Sequence, residues 1–199
     1  MDCFYIIMNK LKDPDYAVTG QIREYIEQSG RKAVLSVKDE EGHIVPGTVP
    51  EDADCALVLG GDGTLIRAVR DMDGSAMPLL GVNMGTLGYL TDVELKEFRP
   101  ALDRLFAGDF DVEERMMIEG VTADGYRDLA VNDIVLARDG KIRIVQFNLY
   151  VNGTLLNTYL ADGVIISTPT GSTGYNLSAG GPGGGPPAMM IGSPPSCSP

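Results

Sequence analysis

Apolar positions along this chain follow two rhythms, one before Gly108 and one after it. Before it, short unbroken apolar runs alternate with stretches whose apolar residues recur at helical spacing. Phe4–Met8, Ala33–Val37, Ala56–Leu59 and Pro78–Val82 are such runs, and each reads as a strand buried on both faces. Asp13–Gln28 puts Val18, Ile22, Tyr25 and Ile26 on one helical face, with Pro14 suited to the first turn and Ser29-Gly30 to the stop. A periodic stretch also follows Leu59 through Met72, and Glu94–Phe106 reads as a helix ended by Gly108. Lys38–Asp54 is a charged, Gly/Pro-containing connection expected to be exposed. Strands alternating with helices predict an α/β layer with a parallel sheet, whose ligands sit beyond the carboxyl ends of the strands.

After Gly108 the pattern becomes β-rich. Arg115–Thr122, Asp128–Ala137, Arg143–Val151, Leu155–Thr158 and Gly163–Thr168 read as strands, and Asp124-Gly125, Asp139-Gly140 and Asn152-Gly153 as hairpin turns. The expected organisation is an α/β nucleotide-binding domain over 1–100 and a partial, mostly antiparallel, sandwich-like β domain over 101–182. A Gly/Pro-rich tail over 183–199 is expected to be poorly ordered, because Pro removes donors and Gly has no side chain to pack.

Composition narrows the function. Apolar residues make up 44% and charged residues 22%, as in ordinary globular domains. The formal charge is −12, from 28 acidic and 16 basic residues with no basic cluster, which argues against a nucleic-acid partner. An acidic protein that handles nucleotides needs local backbone donors or a divalent cation to offset repulsion. Cys3, Cys55 and Cys197 show no metal or disulfide spacing, so a reducing, cytoplasmic location is expected. The start resembles no signal peptide and no apolar run reaches membrane-spanning length, so no membrane association is expected. His43 is the only histidine and lies in a polar stretch, which makes His-based catalysis a poor candidate.

Two stretches carry the chemistry. In Ala56-Leu57-Val58-Leu59-Gly60-Gly61-Asp62-Gly63-Thr64 a buried strand runs into a glycine turn and then a helix start, which makes an anion site of free N–H groups. Asp62 and Thr64 are both plausible caps of that helix, and a capped turn would account for this stretch by itself. Asp62 is otherwise out of place beside a phosphate, unless it accepts a proton from a neighbouring hydroxyl. Neither a Walker nor a Rossmann glycine pattern fits. Far downstream, Gly163–Thr168 runs into Pro169-Thr170-Gly171-Ser172-Thr173-Gly174-Tyr175-Asn176-Leu177-Ser178, with six Ser/Thr within twelve positions. Such a run can bind ribose, phosphate or amide, or can satisfy its own backbone.

Together, Gly60–Thr64 and Thr168–Tyr175 resemble the NAD kinases in their bacterial form. The likeness extends to Asn83–Asp92, to Glu114-Arg115-Met116-Met117 and to Asn132-Asp133 within Val-Asn-Asp-Ile-Val-Leu. Gly60–Thr64 alone is shared with diacylglycerol-type lipid kinases; the Thr-Pro-Thr-Gly-Ser-Thr run separates the two. The resemblance implies phosphoryl transfer from ATP, or alternatively inorganic polyphosphate, to the 2′-hydroxyl of the adenosine ribose of NAD, with Asp62 as proton acceptor and Gly61, Gly63 and Thr64 along the phosphates. It implies that Asn132 and Asp133 hold the ribose, that Asp162 contacts the dinucleotide, and that Thr170 and Thr173, Gly174, Tyr175, Asn176, Leu177 and Ser178 wrap it. Tyr89 stands where the family has an aromatic residue near the adenine, or else belongs to the core. A divalent cation, Mg²⁺, is implied without a legible ligand set, and a homodimer or homotetramer is implied for the complete form. Leu160 stands where many members carry a basic residue. After Gly181-Pro182 the family pattern continues, whereas here the Gly/Pro tail follows with faint echoes at Pro186, Ala188, Ile191, Pro195 and Cys197. A truncated or frameshifted chain is the expectation from that departure, with a non-catalytic fragment of such a kinase as the alternative to an active one.

Overall fold

The computed structural model describes residues 1–73, 75–85, 88–139 and 144–179, together with the backbone of 190–192. The chain divides into two compact units, one over Met1–Glu113 and one from Glu114 onward. The helix that ends at Ala107 packs within the first unit, so this division falls later than residue 100.

The first unit is built on a parallel sheet of β1 (Cys3–Met8), β2 (Lys32–Leu35), β3 (Cys55–Gly60), β4 (Leu79–Asn83) and β5 (Val93–Glu94), in spatial order β2-β1-β3-β4-β5. Its helices are α1 (Ala17–Gln28), α2 (Asp62–Asp71) and α3 (Phe98–Ala107). Every residue of β1 and β3 is buried, as unbroken apolar runs require of central strands covered on both faces. Phe4, Ile6, Leu57 and Leu59 pack with Ile22 and Ile26 of α1 and with Phe98, Leu102 and Leu105 of α3. Strand order reverses between β1 and β3, so the crevice at a parallel sheet's topological switch point opens between their carboxyl ends.

Helix α1 begins four residues later than the position of Asp13 suggests. Asp13 folds back to accept hydrogen bonds from the N–H groups of Val18 and Thr19 and from the Thr19 hydroxyl, at 3.1, 2.8 and 2.6 Å. Burial pushes its carboxyl up, but these donors outweigh burial and hold it below its ordinary value. Pro14 consequently lies ahead of the helix. At the other end of the unit, Gly108 takes φ +74° and closes α3 as a left-handed cap.

The second unit is antiparallel, with three paired sets of strands among the described residues. β6 (Ile118–Val121) pairs with β7 (Arg127–Ala130) across Asp124-Gly125, and β9 (Val145–Val151) with β10 (Thr154–Ala161) across Asn152-Gly153. Asn152 and Gly153 have φ of 50° and 80°, the geometry of the tight hairpin turn that their residue types favour. β8 (Asp133–Ala137) pairs with β11 (Gly163–Ser167), not with β9, so Asp139-Gly140 joins two different sheets and Gly140 itself lies outside the described residues. The single run expected over Asp128–Ala137 is broken between Ala130 and Asp133, because the carbonyls of Val131 and Asn132 are taken by Thr168.

One segment of the tail expected to be poorly ordered is paired in a sheet. β12 (Met190–Gly192) pairs antiparallel with β11, Ile191 opposite Ile166, so a short segment between the tail's two Gly/Pro-rich stretches extends the β8–β11 sheet. The rest of 183–199 lies outside the described residues.

The sheet of the first unit sets its stability. Replacing Leu57, fully buried in β3, by alanine is expected to cost about 2–5 kcal/mol through lost burial and a residual cavity. A fall in the urea midpoint with an unchanged slope would show it; an unchanged midpoint would contradict this packing.

Candidate active site

In the first unit the chemistry gathers at the carboxyl ends of β1, β3 and β4. Gly61 precedes α2 and is its N-cap; the expectation that Asp62 or Thr64 caps the helix does not hold. Both side chains are engaged elsewhere. The Asn9 amide donates to Thr64 Oγ1 at 3.2 Å, which ties the helix to the end of β1. Asp62 reaches across to the turn that follows β4, where it accepts from Tyr89 N at 2.7 Å, Leu90 N at 3.1 Å and Thr91 Oγ1 at 3.2 Å. Gly88 makes that seat possible, since a Cβ there would overlap the carboxylate.

The Lys12 ammonium lies over both glycine turns. It is 3.4 Å from where a Cβ at Gly61 would be and 3.1 Å from one at Gly85. A cation thus lies beside Gly61 and Gly85 in a chain whose net charge is −12. Tyr89 is 62% exposed and is no core residue, although its N–H is anchored by Asp62. Among the described residues no group of three or more His, Cys, Asp or Glu side chains converges as a metal site. Cys3 and Cys55 are free and buried, and burial pushes the Cys55 thiol up to about 12, so neither is placed to act as a nucleophile.

In the second unit the hydroxyl-rich loop is fastened to the start of β8. Thr168 Oγ1 donates to the Val131 carbonyl at 2.5 Å, and its N–H donates to the Asn132 carbonyl at 2.8 Å. Gly171 sits flat on Asn132, where a Cβ would overlap the Asn132 carbonyl. Ser172 Oγ donates to Pro169 O at 2.7 Å, and Arg115 Nη1 to Thr170 Oγ1 at 3.4 Å. Several hydroxyls of the run therefore satisfy the loop's own backbone, the plainer of the two roles open to them. Asn176 is fully buried, while Tyr175 is 55% exposed and Leu177 and Ser178 are exposed with it on the short helix α4 (Tyr175–Ser178). Thr173 and Gly174 form the turn into it.

Two acceptors at the start of β8 stand out. Asn132 Oδ1 is buried without a hydrogen-bond partner among the described residues. Next to it, burial with no compensating donor pushes the Asp133 carboxyl above its ordinary value. Asp162, by contrast, is neutralised by Arg138 at 3.0 Å, and the Arg138 N–H also donates to the Asp162 carbonyl.

Family comparisons match this layout. The ATP-NAD kinase N-terminal domain matches residues 8–110 and the ATP-NAD kinase C-terminal domain matches 131–197. The chain belongs to the ATP-NAD kinase family. The C-terminal match runs through the tail, so the family pattern does not stop at Pro182. Among curated relatives, the NAD kinase of Lachnospira eligens is 44% identical over 99% of this chain and 71% of its own length. That of Agathobacter rectalis is 46% identical over 96% and 69%. A solved NAD kinase from Archaeoglobus fulgidus, in complex with ATP, is 26% identical with a TM-score of 0.75, covering all of this chain and 74% of that one. Yeast NADH kinase complexed with NADH shares the fold, with a TM-score of 0.71 at 24% identity and coverage of 67% of its chain.

Within this ATP-NAD kinase chain, the sequence motifs marked Asp62, Asn132 and the loop, but not Lys12, Gly88 or Thr91. Lys12 sits next to the motifs in space, with no spacing signal to mark it. Gly88 and Thr91 fall inside the Asn83–Asp92 likeness, yet only their contacts with Asp62 reveal a role.

Two predictions belong to the second unit. Gly171→Ala must displace the Asn132 backbone and is expected to cost about 1–3 kcal/mol, read as a lowered melting temperature; an unshifted melt would refute the close approach. Asp133 keeps its proton to higher pH when folded than when unfolded. Its contribution to stability therefore falls as pH rises from the ordinary carboxylate range through the raised value. Asp133→Asn should melt higher than the parent at pH 7, and the gap should close below about pH 4. A gap independent of pH would count against a desolvated carboxyl.

Proposed function

We propose that the chain transfers the γ-phosphoryl group of ATP to the 2′-hydroxyl of the adenosine ribose of NAD, giving NADP and ADP. The observation that carries this reading is the seat of Asp62, a carboxylate held by backbone amides in a turn that otherwise offers only N–H donors and a lysine. In the reaction the ribose oxygen bonds to the γ-phosphorus as the bond to the bridging oxygen breaks, ADP leaves, and the hydroxyl proton passes to Asp62. The N–H groups of Gly61–Gly63 cradle the donor phosphates, with Thr64 next to them, and Lys12 offsets their charge.

Ribose hydroxyls supply the donors that Asn132 Oδ1 and Asp133 lack. The exposed ring of Tyr175 offers a stacking face, with Thr173, Gly174, Leu177 and Ser178 around it, and Tyr89 offers one near the adenine. Asp162, balanced by Arg138, contacts the dinucleotide. Mg²⁺ takes most of its ligands from water and phosphates and so does not require a cluster of protein carboxylates. When bound, it would neutralise charge on the transferring group.

With NAD and ATP, Asp62→Asn should lower turnover by about 10²–10⁴-fold while NAD still binds. NADP formation, followed by an NADP-specific dehydrogenase, measures this. Full turnover in the variant, or phosphorylation of diacylglycerol in place of NAD, would overturn the reading.

A further inference from the structure

We propose that Thr91 is a positioning residue that fixes which oxygen of Asp62 accepts the substrate proton. The inference rests on the kinase reading of Asp62 and follows from a chain of buried and part-buried hydrogen bonds. Gly85 N–H donates to Asn83 Oδ1 at 2.8 Å, which orients the amide and turns Asn83 Nδ2 toward Thr91. Nδ2 donates to Thr91 Oγ1 at 3.2 Å. With its acceptor side engaged, the Thr91 hydroxyl sends its single proton to Asp62 Oδ1, 3.2 Å away.

Lone-pair counting then separates the two carboxylate oxygens. Oδ1 accepts from both Leu90 N and Thr91 Oγ1, which occupies both of its in-plane directions. Oδ2 accepts from Tyr89 N alone among the described residues, so one direction stays open there. Oδ2 is therefore the oxygen that receives the proton. Asn83 and Thr91 are 3% and 1% exposed, so water does not replace a missing member of the relay. Gly88 guards the same seat from the other side. Its φ lies outside the left-handed range, so an alanine there meets no backbone strain, only the Asp62 carboxylate.

The test uses three substitutions in the 199-residue chain. Thr91→Val removes the hydroxyl at nearly constant shape and should lower kcat by about 10- to 100-fold, the usual effect of losing a hydrogen bond to a charged group, with KM for NAD and ATP unchanged. Thr91→Ser should restore kcat. Gly88→Ala should lower kcat at least as far as Thr91→Val. An undiminished kcat in Thr91→Val or Gly88→Ala, or a Thr91→Ser variant as slow as Thr91→Val, would overturn the proposal. Amide spectra give a readout independent of turnover. The Tyr89 and Leu90 resonances that move in Asp62→Asn should move in Thr91→Val and stay in place in Thr91→Ser. If the parent chain forms no NADP, the kinase reading falls, and the amides still decide the relay: unmoved resonances in Thr91→Val would sink it.

Discussion

The first unit's site depends on one contact, the carboxylate of Asp62 received by the N–H groups of Tyr89 and Leu90. These donors lie in a turn that has left the sheet and has no strand to pair with. Without an acceptor, each would carry the cost of an unpaired amide as far as it is shielded from water. The same contact joins the turn after β3 to the turn after β4, so both are fixed relative to the switch-point crevice. Small residues line this arrangement because the backbone segments come so close. Gly88 leaves room for the carboxylate, and Gly85 and Gly61 leave room for the Lys12 side chain.

The second unit solves a similar problem with hydroxyls in place of a carboxylate. Thr168 engages the backbone of Val131 and Asn132 through both its N–H and its side chain, and it accepts from Gly171 N at 3.1 Å. Gly171 then closes the loop onto Asn132. The loop's hydroxyls are largely consumed in holding its shape, which leaves the unmet acceptors on Asn132 and Asp133.

What could be read from residues alone follows from the range of the forces involved. The strands of the first unit were legible because burial on both faces leaves continuous apolar runs, as in Cys55–Gly60. Helix ends were less so. The start of α1 depends on Asp13 reaching residues five and six positions on, which local spacing does not reveal. Asp62 has the residue type and position of a cap, yet its partners are 27 to 29 residues away in sequence. Lys12 was invisible for the same reason: its importance comes from strand order, which places the end of β1 beside the end of β3. In the β-rich half, Asp128–Ala137 looked continuous because Val131 is apolar, although hydrogen bonds from Thr168 break the run there. In the tail, composition hid the pairing of Met190–Gly192, because three residues suffice when a buried neighbour such as β11 supplies the template.

A base placed in an anion site faces conflicting demands, since the charge that accepts a proton also repels the phosphates. The geometry here separates the two demands within one side chain. Backbone amides and the Asn83–Thr91 relay place donors around most of the Asp62 carboxylate, and Lys12 adds positive charge over the same turns. These donors and the lysine offset the carboxylate's repulsion of a nearby phosphate without themselves taking part in proton transfer. Aspartate also suits the distance. Its carboxylate already fills the space above Gly88, and one more methylene would drive a glutamate into that backbone, so a longer acid could keep the charge but not the seat.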